Sequence, residues 1–247
     1  MTSPSDMRES SKPRTYDRAS SVVFLKTKEA FGGLSNMAGG FPLKVNGIHI
    51  LTSEALYQAC RFPHRPEVQR LIIQQASPMT AKMKSKPYRH DSRLDWNRVR
   101  VKIMRWCLHV KLAQNWDSFS ELLIETGGCP IVEQSRKDDF WGAKPVDEQT
   151  LVGMNVLGRL LMEMREDVKA EKQKSLLCVD PLDIPDFLLD GRPIETVIAN
   201  NFERSPSTTP EAKRIVQADG GTRKPLQLSL FKAQGTLLFI NLINITN

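Results

Sequence analysis

The stretch "DWNRVRVKIMRWCLHVKLAQN" (95–115) constrains the fold of this chain more than any other. Trp96, Val99, Ile103, Cys107 and Val110 recur at three- and four-residue intervals, which puts them on one face of an α-helix. An apolar stripe of that length has to be covered, so the helix belongs at the centre of a packed domain rather than at its surface. Other segments supply the cover. "EVQRLIIQQA" and "LVGMNVLGRLLMEMRE" have helical spacing, and "SFSELLIE" reads as a helix opened by a capping box, Ser118 to Glu121, and closed at Gly127-Gly128. "SEALYQACRF" is a helix capped by Thr52 or Ser53, with Glu54 in its first turn where the helix dipole favours an anion.

Strands are fewer and shorter. "VVFLK" and "IVEQS" are rich in β-branched residues, and Asn46-Gly47 inside "KVNGIHIL" is the preferred dipeptide of a tight hairpin. The expected architecture is α+β: one helix-rich domain over 21–168 with a few short strands. Residues 1–20 are expected to be a disordered leader without an apolar signal-peptide core. A proline-spaced strap over 169–200 is expected to wrap the domain, and 201–247 reads as linker and flexible tail. The most apolar run near the end of the chain, "GTLLFINLINI", is far shorter than the roughly 20 residues a membrane span needs, so a cytoplasmic location is expected. Four scattered cysteines with no CxxC suit buried free thiols in a reducing compartment.

Several chemistries find no support in the residues. The four histidines share no ligand spacing with Cys or Asp, the glycines of "FGGLSNMAGGFP" do not match a dinucleotide fingerprint, and no Ser or Cys triad is indicated, so neither metal nor cofactor is expected. Carboxylates are better candidates. Glu54, Glu133 and Asp139 each adjoin apolar or aromatic residues, where burial raises a carboxyl pKa toward that of a general acid. Each has a structural alternative: Glu54 can complement a helix dipole, and Asp139 can cap the turn in "IVEQSRKDDFWG". Residues 82–105 hold nine Lys or Arg against Asp91 and Asp95, a density suited to phosphate groups or a nucleic-acid backbone. The net charge of +7 points the same way. Within that segment Lys82, Lys84, Lys86 and Arg89 are the candidate phosphate grips, and Trp96 and Trp141 are candidates to stack a ring.

Six ordered segments together resemble the NADAR family: "GLSNMAGGFPL", "SEALYQACRF", "SPMTAKM", "DWNRVRVKIM", "IVEQSRKDDFWG" and "LVGMNVLGRLLMEMR". The resemblance covers about 22–168. It implies an N-glycosidase acting either on phosphorylated intermediates of riboflavin synthesis or on ADP-ribosylated guanine in nucleic acid. It also implies site positions at Glu54, Trp96, Asp139 and Trp141, and a lysine, Lys82, that attacks the ribose carbon to form an imine. Asn36 and Asn155 are implied as polar positioning groups, with Gly153 allowing close backbone approach. Two departures, "LSNMAGGFP" and "MKSKPYR", lie where a base or phosphate would rest and leave the substrate open. A module that binds ADP-ribose or NAD without cleaving it is the reading from outside enzymology. In the tail, "QLSLF" matches the peptide by which bacterial replication and repair proteins hold the DNA sliding clamp. Gln227 would meet the pocket rim, and Leu228, Leu230 and Phe231 would fill its apolar part. A short strand pairing with "TLLFINLI" is the alternative. If the peptide does bind a clamp, it favours DNA as the substrate.

Overall fold

A computed structural model of the protein describes residues 12–170 and 173–199. The long amphipathic helix is α4, Trp96–Gln114. Before it come α1 (Ser53–Ala59), α2 (Pro66–Ile73) and α3 (Pro78–Ser85); after it come α5 (Trp116–Glu125) and α6 (Val156–Lys169). The five residues of the α4 stripe are all buried, together with Met104, Trp106 and Leu108. α1, α5 and α6 pack around α4, and Leu34, Leu56, Phe62, Phe119 and Leu161 join its stripe in one continuous core.

The strands are short and frame the helices. β1 (Arg14–Asp17) pairs antiparallel with β7 (Thr150–Gly153), which also pairs with β6 (Lys144–Pro145). β2 (Val22–Phe24) runs parallel to β5 (Ile131–Glu133), with Val22 opposite Ile131 and Phe24 opposite Glu133. The hairpin forms as the dipeptide requires: β3 (Leu43–Val45) returns as β4 (Ile48–Ile50) through Asn46 and Gly47, both with positive φ (50° and 80°). The proline-spaced segment lies against the core through two-residue strands, β8 (Cys178–Val179) with β11 (Val197–Ile198) and β9 (Leu188–Leu189) with β10 (Arg192–Pro193). Trp106 Nε1 donates to the Asp180 carbonyl at 2.9 Å, and its ring meets Phe187 edge-on at 5.0 Å.

Four local expectations need correction. Order begins before residue 21, because β1 completes the edge of β7 and buries Tyr16. Ser118 does not cap α5, which starts two residues earlier; its hydroxyl donates instead to the Asn115 carbonyl. Residues 151–155 are not helical: β7 takes the first three, and Asn155 turns into the left-handed region (φ 47°) before α6 begins. Of the cysteines, Cys60 and Cys107 are buried but Cys129 is exposed. Among the described residues no helix is long and apolar enough to cross a membrane. The peptide 227–231 lies outside the described residues.

Candidate active site

The N-terminus of α1 fixes the first acid. Thr52 Oγ1 accepts from the Ala55 amide at 3.2 Å, and the Asn36 carbonyl accepts from both the Glu54 amide (2.9 Å) and Ser53 Oγ (3.0 Å). The loop before β3 is thereby clamped onto the helix start. Glu54 is 2% exposed, so it is no surface complement to the dipole. Its two oxygens accept separately: Asn36 Nδ2 donates to one and Gln58 Nε2, at 3.0 Å, to the other. Gln58 is itself held by Ser85 Oγ at 2.9 Å, so a buried polar relay runs from the end of α3 to the acid. Burial pushes the Glu54 carboxyl up, and the Lys82 ammonium, the two amides and Arg89 oppose it.

The second acid comes from the parallel pair. Glu133 ends β5, and Asn155 braces it from the turn before α6. Asn155 Oδ1 accepts from the Glu133 amide at 3.1 Å, and Asn155 Nδ2 donates to the Ile131 carbonyl at 2.8 Å. Gly142 lets the chain close behind it, since a Cβ there would stand 2.4 Å from the Glu133 carbonyl oxygen. Burial, with Asp138 and Glu54 nearby, raises the Glu133 carboxyl to about 7, against the pull of Lys82. The two acids therefore differ. Burial raises both carboxyls, but two amide donors and Lys82 oppose the rise at Glu54, whereas Glu133 is raised to about 7 and holds a proton close to neutral pH.

Both acids line one cleft of about 410 Å³. Asn36, Lys82, Arg89, Trp96 and Trp141 line it too, so these expected site residues are brought together. Tyr57 links the two indoles, lying 5.1 Å from Trp96 and 5.7 Å, edge-on, from Trp141. Arg61, Arg89 and Arg100 converge on the cleft. The Arg61 guanidinium has its pKa lowered, first by burial and then by the charges of Arg89 and Arg100. Two of the three are seated on rings: Arg61 Cζ lies 4.7 Å above Trp96 and Arg100 Cζ 3.8 Å above Phe140. Arg100 Nε is buried with no partner among the described residues. Like charges held together in this way are suited to phosphate oxygens.

The structure does not bring every expected residue to the cleft. Asp139 is directed away from it, 64% exposed, and accepts from Lys144 Nζ at 2.6 Å, which lowers its pKa. Its neighbour Asp138 lines the cleft instead, while Oδ1 of that residue caps the turn by accepting from the Phe140 and Trp141 amides. Lys84 and Lys86 are exposed and do not line the cleft. Asn155 acts on Glu133 rather than facing the cleft, and Gly153 packs against backbone, where a Cβ would stand 2.4 Å from the Gly142 carbonyl oxygen. Sequence reasoning missed Tyr57, Gln58, Arg61 and Arg100. The signal was present: Glu54, Tyr57 and Gln58 share one helical face, Arg61 follows at the next step of the same spacing just past the end of α1, and Trp96, Arg100 and Met104 share another face. Among the described residues no three His, Cys, Asp or Glu side chains are grouped to hold a metal ion.

Comparison with known proteins adds three similarities. The model of the NADAR domain matches residues 23–169. N-glycosidase YbiA of Escherichia coli (strain K12) is 34% identical over 154 residues, 61% of this chain and 90% of that protein. A riboflavin biosynthesis protein of Vibrio vulnificus (strain YJ016) is 31% identical over 158 residues, 63% of this chain and 41% of that protein. The NMR structure of Escherichia coli YbiA superposes with a TM-score of 0.52 at 31% identity, covering 63% of this chain and 92% of that one.

Proposed function

The chain belongs to the NADAR family, and from that premise we propose that it is an N-glycosidase removing ADP-ribose from a nucleobase, guanine in DNA. Breaking an N-glycosidic bond puts positive charge on the ribose carbon and negative charge on the departing base. The observation that carries the reading is the pairing of two carboxyls, Glu54 and Glu133, in one cleft that Arg61, Arg89, Arg100 and Arg136 also line. Glu133, protonated near neutrality, gives its proton to the base as the C1–N electron pair leaves with it. Glu54, whose carboxylate form the Lys82 charge and the Gln58 and Asn36 amides favour against burial, stabilises the positive carbon. Water then adds to that carbon and returns a proton to Glu133, which restores the acid.

Lys82 gives the same pair of acids a second route. Among the described residues it is the only lysine lining the cleft, and its charge acts on both Glu54 and Glu133. After losing a proton to a carboxylate, its amine can displace the base from C1, with Glu133 protonating the base as it leaves. The C1–O4′ bond then opens, one of the amine's N–H protons passing to O4′, to give the imine. Water adds to the imine carbon and releases the lysine amine. Cyanoborohydride reduction during turnover distinguishes the routes: a stable ribose adduct on Lys82 marks the imine, and its absence marks direct attack by water.

The guanidinium wall supports ADP-ribose over a monophosphate. Five cationic side chains line the cleft (Arg61, Lys82, Arg89, Arg100 and Arg136), more than one phosphate group needs, and Trp96, Trp141 and Tyr57 offer stacking faces. The alternative substrate is a phosphorylated intermediate of riboflavin synthesis, the activity named for the Vibrio relative. Incubation with an oligonucleotide carrying ADP-ribosylated guanine should release ADP-ribose and restore the unmodified strand. No release, alongside rapid cleavage of a riboflavin intermediate, would transfer the assignment to that substrate. Ligand-induced thermal stabilisation with no product from either would leave a binding module.

A further inference from the structure

Lys111 lies on α4 away from the cleft, and the reaction outlined above does not use it. Its side chain is fully buried (0% exposed), and it has no carboxylate partner among the described residues. A buried ammonium without a counter-charge is costly, so its contacts must offset that cost. They are specific. Nζ donates to the Gly33 carbonyl at 2.6 Å and the Ser35 carbonyl at 3.0 Å. It also lies 4.3 Å from the ring centroids of both Phe41 and Phe119. Burial lowers the Lys111 pKa well below its ordinary value, and two carbonyl dipoles and two aromatic faces replace water around Nζ.

The segment gripped by these bonds ends at Asn36, whose side chain donates to Glu54 and whose carbonyl accepts from the start of α1. The path Lys111, Ser35, Asn36, Glu54 is therefore an unbroken set of hydrogen bonds and one peptide link. Lys111 has no direct bond to Glu54, and the contacts that join them run through the loop. We infer that Lys111 is a positioning residue that locks the 33–36 turn so that Asn36 stays bonded to Glu54. The inference rests on Glu54 being part of the site.

The test is the titration of the Glu54 carboxyl, followed by 13C NMR, in wild type, Lys111→Met, Asn36→Ala and the double variant, with turnover measured alongside. Releasing the Asn36 amide removes a donor to the anion, so Lys111→Met should move the Glu54 midpoint upward. Asn36→Ala should do the same, and the double variant should go no further than Asn36→Ala alone. Turnover should fall at least 10-fold in each single variant, without multiplying in the double. An unmoved Glu54 midpoint in Lys111→Met, or additive shifts in the double variant, would overturn the inference. A moved midpoint with unchanged turnover would uphold it and instead remove Glu54 from the reaction. Lys111→Gln, which keeps donors without the charge, serves if the Met variant does not fold. Failure of both to fold would show that the residue holds the core together, and the positioning role would be withdrawn.

Discussion

Single residues in the cleft have separable tasks, and substitution should separate them. Glu54→Gln keeps the shape and loses the anion, so turnover should fall about 100-fold or more while binding of ADP-ribose persists. Asp139→Asn should change turnover less than about 3-fold, because its carboxylate is paired with Lys144 at the surface. A large loss there would contradict the placement of that turn. Glu133 also links stability to pH. Its carboxyl is raised from 4.5 to about 7 in the fold, so the fold binds this proton more tightly than the unfolded chain does. The stability it contributes is complete below about pH 4.5 and is lost as pH rises through about 7. Glu133→Gln should abolish that loss, leaving the variant more stable than wild type above pH 7 by about 1–3 kcal/mol in thermal melts. Equal melting temperatures from pH 5 to 8 would contradict the raised carboxyl. The choice between Asp138 and Asp139 was not legible in the sequence. Adjacent residues in an irregular turn have no periodicity to say which faces inward, and only the caps from Asp138 to Phe140 and Trp141 decide it.

At the scale of elements, legibility followed locality. The apolar stripe of α4 and the Asn46-Gly47 hairpin are set by neighbours a few residues apart, and both form as their patterns require. The pairing of β2 with β5 joins residues more than a hundred positions apart through strands of three residues, too short to show an alternation. β1 was hidden for the same reason within a polar leader. The site depends on one of these illegible joints, since Glu133 ends β5, which pairs with β2 and which Asn155 ties to the start of α6. Asn155→Ala removes buried hydrogen bonds at a left-handed position and should destabilise the fold by about 2–3 kcal/mol. Asn155→Gly accepts the backbone angle but not the bonds. It should recover part of the stability without recovering turnover, as thermal melts and rate assays on one preparation would show. Full activity in either variant would mean that Glu133 is held by something else.

At the scale of the whole molecule, positive charge and the tail concern where the enzyme works. Neither Lys84 nor Lys86 pairs with an acid among the described residues, and with the net charge of +7 they favour an extended anion over a small metabolite. The KM for an oligonucleotide substrate should therefore rise several-fold between 50 and 200 mM salt, and the KM for a free phosphorylated nucleoside much less. The peptide at 227–231 is proposed to bind the bacterial sliding clamp. Replacing Leu230 and Phe231 by Ala should abolish retention on immobilised clamp and leave hydrolysis of a short oligonucleotide unchanged, and retention by the doubly substituted chain would dismiss the proposal.

The division of labour between Glu54 and Glu133 is tested most directly by the single-turnover rate on ADP-ribosylated guanine oligonucleotide between pH 5 and 9, in wild type and in Glu133→Gln. The wild-type rate should fall as pH rises through about 7, and the variant should be at least about 100-fold slower with that limb missing. A variant that retains the same limb, or turns over at the wild-type rate, would show that Glu133 is not the acid that releases the base.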